Sequence, residues 1–168
     1  MKAPLQFRPM CAIDSAEVFL LSQMRWQIFG SLTFRQERLP ERVRLSMYFA
    51  MLRKVARQHN VFFSRLIWAL RQEGDGKLQH KHIHFLLSGL PRHAVTPATC
   101  SLMSQKWERI GGGMARIAPY NHALNGVEYI LKRRGEIQTL GGFESAKFGS
   151  NPDLMLSDSL WKLLKARQ

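Results

Sequence analysis

The run His80-Lys81-His82-Ile83-His84-Phe85-Leu86-Leu87 constrains this chain more than any other segment. Side chains alternate faces along a strand, so His80, His82 and His84 point one way while Ile83, Phe85 and Leu87 point the other. A strand of this kind belongs to a sheet whose apolar face packs on helices, leaving the imidazoles on the opposite, open face.

The segments on either side supply the rest of that sheet and its cover. Trp26–Phe34 reads as a first strand, with Ile28, Gly30 and Leu32 alternating with Phe29, Ser31 and Thr33. Pro40 and Glu41 open a helix to Gln58, Pro being tolerated at the first helical position and a carboxylate suiting the positive end of the dipole. Its apolar stripe is Val43, Met47, Ala50, Met51 and Val55. Val61–Gln72 reads as a second strand, Glu73-Gly74-Asp75-Gly76 as a tight turn, and His80–Ser88 as a third strand. Thr96-Pro97 caps a helix to Ile110, which Gly111-Gly112-Gly113 ends, and Met114–Pro119 is a fourth strand. Asn121 caps a helix reaching Arg134, and Ser157 caps a last one carrying Leu160, Trp161, Leu163 and Leu164.

The order strand, helix, strand, strand, helix, strand predicts an α+β fold. It is a ferredoxin-like or RRM-like sandwich with a central antiparallel sheet and two helices on one face. The other face is left for a ligand or for the later helices, one bearing Tyr129 and one at the C-terminus. No repeat or Gly/Pro/Ser-rich linker divides the chain, so 1–168 reads as one domain with its core at 26–134 and an extension, 135–168, packed on it.

Charge narrows the partners. At 45% hydrophobic the chain can bury a core, and 25 Lys plus Arg against 12 Asp plus Glu leave a formal charge of +13. An excess of this size calls for a counter-anion, with nucleic-acid phosphate ahead of an anionic membrane surface. No stretch approaches the roughly 18 apolar residues of a spanning helix. Asp14 and Glu17 interrupt any signal-peptide core, so a cytoplasmic, non-secreted protein in a prokaryotic host is expected. Cys11 and Cys100 form neither a disulfide framework nor a zinc ribbon and are expected to be free thiols.

Two imidazoles at i and i+2 converge well enough to hold one divalent ion, and a third protein ligand completes a site with positions left for water or phosphate. Glu73, which a hairpin returns beside the histidine strand, and His80 on the strand itself are both candidates. On the helix that follows Asn121, Leu124, Val127 and Leu131 form the buried stripe, and Tyr129 and Lys132 share another face. An ammonium one turn from a phenol favours the phenolate, which makes Tyr129 a candidate nucleophile.

These parts together resemble the HUH endonucleases, and within them the single-tyrosine rolling-circle replication initiator (Rep) proteins of plasmids and small single-stranded DNA viruses. Phe29-Gly30-Ser31-Leu32-Thr33-Phe34 looks like the first family motif, His82-Ile83-His84 like the second, and Tyr129-Ile130-Leu131-Lys132 like the third. In related Rep proteins a Glu eight or nine residues before the first ligand histidine completes the metal site; Glu73 is nine before His82, which places it ahead of His80. Gly30-Ser31 departs from the larger or Thr residues of many relatives. Asn125 stands where two-tyrosine relatives carry a second tyrosine, so strand transfer by two tyrosines of one chain is not expected.

The resemblance implies that Tyr129 nicks a single-stranded or hairpin origin and leaves a 5′-phosphotyrosine link, with Lys132 neutralising charge on the phosphate or orienting the tyrosine. It implies Mn²⁺ or Mg²⁺ on His82, His84 and Glu73. Arg35, Arg38, Lys77, Lys81, Asn125, Arg133 and Arg134 are the expected DNA contacts. No GxxxxGK[ST] sequence occurs, so no helicase domain is expected, and unwinding and extension fall to a host helicase and polymerase. A monomer able to oligomerise on DNA is expected. The alternatives are a transposase-like or relaxase-like nuclease of the same superfamily, or a non-catalytic nucleic-acid-binding module on the same fold.

Overall fold

A computed structural model describes residues 21–74, 80–124, 126–131 and 154–166. Five strands, β1 (Ile28–Phe34), β2 (Ile67–Glu73), β3 (His82–Ser88), β4 (Gly112–Pro119) and β5 (Leu154–Leu156), form one sheet in the order β4-β1-β3-β2-β5. Every pairing is antiparallel. The helices are α1 (Glu41–Gln58), α2 (Pro97–Arg109), α3 (Gly126–Leu131) and α4 (Asp158–Lys165). The protein is thus α+β with a five-stranded antiparallel sheet, an arrangement compatible with a ferredoxin-like sandwich. No helix among the described residues is long and apolar enough to cross a membrane.

The alternation of β3 sorts its side chains as its sequence requires. Ile83, Phe85 and Leu87 enter the main core with residues of α1 and α2, while Leu86 lies in a second core on the reverse face. Around the main core the aromatic rings interlock: Tyr48 meets Phe49, Trp68 and Phe85 at centroid distances of 5.2, 6.2 and 5.4 Å. These rings reset the stripe expected on α1. The buried set is Arg44, Leu45, Tyr48, Phe49, Met51, Leu52, Val55 and Ala56, and Val43 turns outward. Bulky aromatics gain more from burial than Val43 or Ala50, so the helix rolls to bring Tyr48 and Phe49 inward.

Element boundaries shift in ways that matter for the site. The segment before β2 forms a 3₁₀ turn at Phe63–Arg65, so β2 begins at Ile67 and runs on through Glu73, which is a strand residue and not part of a turn. β3 begins at His82, leaving His80 outside the strand. Asn121 does cap, but it caps a 3₁₀ turn, His122–Leu124, its Oδ1 accepting from the Ala123 N–H at 3.0 Å. The tighter winding of that turn changes the phase at which α3 starts. Leu124 is 75% exposed, whereas Val127 and Ile130 of α3 are buried.

The reverse face of the sheet is covered over part of its width. Leu21, Trp26, Ala69, Leu86, Val127, Ile130, Leu156 and Leu160 pack there as the second core. β5, which the periodicity does not signal, joins the β2 edge with Ala69 opposite Leu156. Ser157 then starts α4, its Oγ accepting from the Trp68 and Leu160 N–H groups at 3.2 and 3.3 Å. Over β4 none of the described residues covers the same face, and Met114 is 60% exposed there.

Candidate functional site

Antiparallel register assembles the site. Glu73 lies directly across from His82, and Arg71 from His84. On the other side of β3, Thr33 faces His82 and Ser31 faces His84. Directly opposed residues share a sheet face, so a row of polar side chains crosses the sheet where α3 begins to cover it.

Glu73, His82 and His84 converge, with one ligand atom from each lying within 4.8 Å of the others. Glu73 Oε2 is 3.2 Å from His82 Nε2 and 3.6 Å from His84 Nε2. The His82 ring is aimed from behind, its Nδ1 lying 2.8 Å from the His80 carbonyl oxygen. With Nδ1 donating to that carbonyl, the neutral ring keeps its lone pair on Nε2, on the side of Glu73, where a cation between the two would take it. His84 is buried, and neither ring nitrogen makes a hydrogen bond among the described residues. Buried polar nitrogens normally find a partner, so His84 is placed for a ligand. Two imidazoles and a carboxylate on one wall fit a divalent cation with coordination positions left over.

Tyr129 adjoins this triad. Its ring meets His84 edge-on at a centroid distance of 4.7 Å and remains 44% exposed. Phe29 of β1 backs both, stacked on His84 at 6.4 Å and edge-on to Tyr129 at 6.2 Å. Gly126 lets α3 come this close. A Cβ there would stand 2.9 Å from Tyr120 Cε2 and 3.1 Å from Phe29 Cδ2. With Val127 and Ile130 anchored in the second core, Tyr129 is left against the edge of the His84 ring.

The structure separates the two candidates for third ligand. Glu73 joins the histidines, while His80 points to Glu37, with Nδ1 2.9 Å from Oε1 and a side chain 77% exposed. Losing strand geometry at His80 removes the alternation that would have aimed its ring at His82 and His84. Arg35 and Arg38 are exposed just beyond β1, at the sheet end where Thr33 faces His82, and Lys81 immediately precedes β3. Lys77, Asn125, Lys132, Arg133 and Arg134 lie outside the described residues.

Two site residues escape the sequence reading. Arg71 sits two positions before Glu73 on the same strand face and contacts both the triad and α3. Arg116 of β4, exposed, faces Ser31, which in turn faces His84. The available signal was period-two spacing from Glu73 for Arg71; for Arg116 only the register of β4 reveals it.

No protein-family model matches the chain, and no curated protein or solved structure does either.

Proposed function

We propose that the protein is a metal-dependent single-stranded DNA nickase and joining enzyme of HUH type on a ferredoxin-like fold, acting at a replication origin. The observation that carries this reading is the approach of an exposed tyrosine, Tyr129, to a two-histidine, one-carboxylate cluster. A net charge of +13 supports a polyanionic substrate.

In this reading Mn²⁺ or Mg²⁺ on Glu73, His82 and His84 supplies Lewis-acid polarisation of the scissile phosphate. The Tyr129 phenol oxygen forms a bond to phosphorus as the bond from phosphorus to the 3′ oxygen breaks. The phenol proton is lost to solvent and the departing 3′ oxygen gains one, leaving a 3′-hydroxyl for a polymerase and a 5′-phosphotyrosine on the protein. Phe29, edge-on to Tyr129 at 6.2 Å, would serve to orient the nucleophile before the strand arrives. Lys132 has the role of neutralising phosphate charge. Arg35, Arg38, Lys81 and Arg116 hold the flanking strand through its phosphates, which makes binding salt-dependent. Because the covalent link keeps the bond energy, the reverse reaction rejoins DNA without ATP.

The test is a 3′-labelled pool of random single-stranded DNA mixed with the protein and Mn²⁺, then run on a denaturing gel. Wild type is expected to carry the label as a covalent adduct, and Tyr129→Phe to carry none. Absence of any wild-type adduct overturns the proposal, and an adduct that survives Tyr129→Phe assigns the nucleophile elsewhere.

A further inference from the structure

Arg71 touches both the triad and the helix that bears the tyrosine. On one side its Nη1 donates to the Ile130 carbonyl oxygen at 3.0 Å. On the other, its Nε lies 3.3 Å from Glu73 Oε1, an ion-pair distance without hydrogen-bond alignment. The other carboxylate oxygen, Oε2, is the one that faces His82 and His84. Glu73 is therefore shared between a cationic side chain and the candidate metal pocket.

The same side chain holds the helix from the sheet side. Over its described residues, Gly126–Leu131, α3 is seated on the sheet by Val127 and Ile130 in the second core. The Arg71 guanidinium adds a charged donor to the Ile130 carbonyl, tying the helix backbone to β2. Ile130 is the neighbour of Tyr129 in sequence, so a bond to its carbonyl fixes the backbone beside the candidate nucleophile.

We infer that Arg71 is a positioning residue that couples occupation of the Glu73–His82–His84 site to docking of the helix bearing Tyr129. The inference rests on the metal centre of the proposed function, not on its nuclease chemistry. A cation that draws in Oε2 fixes the carboxylate plane and with it the guanidinium across Oε1, which in turn holds the Ile130 carbonyl. Coupling is reciprocal, so a docked α3 raises affinity for the cation by the same factor. The planar fork of arginine can serve two acceptors at once, and a lysine ammonium on its single stem cannot bridge them in this geometry.

The experiment titrates Mn²⁺ by electron paramagnetic resonance and measures amide hydrogen exchange over 126–131 with and without Mn²⁺. In wild type Mn²⁺ is expected to slow that exchange. In Arg71→Met the Mn²⁺ affinity is expected to fall about tenfold and the slowing to disappear. Arg71→Lys, which keeps a charge beside Glu73, is expected to recover part of the affinity but not the slowing. Full slowing in either variant, or an Arg71→Met affinity within about twofold of wild type, overturns the inference. Wild type that binds no Mn²⁺ overturns it together with the metal centre. Wild type that binds Mn²⁺ and shows the coupling but forms no DNA adduct upholds it and removes only the nuclease reading.

Discussion

Gly30→Ala is expected to destabilise the fold by a route that leaves the polar site alone. Gly30 lies on β1 directly opposite Phe85 of β3, on the face turned away from His84. A Cβ at this position would stand 2.2 Å from Phe85 Cε1 and 2.4 Å from Cζ. Carbon atoms pack at about 3.5–4.0 Å, so the ring must retreat by more than about 1 Å. It has nowhere to go: Phe85 is fully buried and its ring abuts Tyr48, itself fully buried against Phe49 and Trp68. That places the cost toward the upper part of the overpacking range, about 2–3 kcal/mol, offset by about 0.5 kcal/mol from restricting the unfolded chain. For a chain of this size the net loss of about 2 kcal/mol lowers Tm by about 4–8 °C. Thermal and urea unfolding followed by circular dichroism read this directly. Phe85→Leu in the Gly30→Ala background shortens the obstructing ring, and the pair is expected to cost at least about 1 kcal/mol less than the sum of the single changes. Gly30→Ala within about 0.5 kcal/mol of wild type, or strictly additive costs, refutes the close approach of β1 to Phe85.

Tyr48→Phe is expected to behave in the opposite sense. The Tyr48 hydroxyl is buried and has no hydrogen-bond partner among the described residues, so removing it should stabilise the protein by about 1 kcal/mol near neutral pH. Burial also pushes this hydroxyl well above the usual tyrosine range. The folded state keeps a proton that the unfolded chain releases above about pH 10. The associated stability is complete below that pH and is lost at about 1.4 kcal/mol per pH unit above it. Urea midpoints compared near neutral pH and at about pH 11 should show a shallower alkaline loss in Tyr48→Phe than in wild type, and a variant less stable at neutral pH would count against the unpaired hydroxyl. At the metal centre, Glu73→Gln is expected to weaken Mn²⁺ binding by at least about 100-fold. His80→Ala should leave it near wild type, because the exposed ring is directed to Glu37 and the carbonyl that aims His82 survives the change. Calorimetric titration of both variants checks this, and a comparable loss in His80→Ala would return His80 to the ligand set.

Much of the site can be read along the chain because its parts lie close in sequence. His82 and His84 fall on one face by alternation alone, and the antiparallel pairing of β2 with β3 brings Glu73, nine positions earlier, opposite His82. His80 shows the limit of the same rule: alternation aims a side chain only where the strand persists, and here the strand starts at His82. The phase of α3 was hidden for a related reason. A 3₁₀ turn at His122–Leu124 precedes it, so angles counted from Leu124 as though one helix ran through them bury the wrong residue. Tyr129 nonetheless stays off the core face, since Val127 and Ile130 satisfy the second core. Arg71 could not be singled out from its strand because what distinguishes it is a contact to Ile130, 59 residues away.

The sequence by itself determined the order of β1 to β4 with the helices between them, the apolar face of β3, the pairing of two histidines on the other face and the excess of positive charge. These arise from backbone periodicity and composition, which act over a few residues at a time. Only the tertiary structure decided that Glu73 and not His80 completes the triad and that β5 closes the β2 edge. It also decided that Tyr129 rests against His84 and that Arg71 links the carboxylate to the tyrosine helix. Those outcomes depend on cross-strand register and on how α3 seats on a second core. Each is the sum of many weak contacts between distant residues, and no local pattern encodes such a sum.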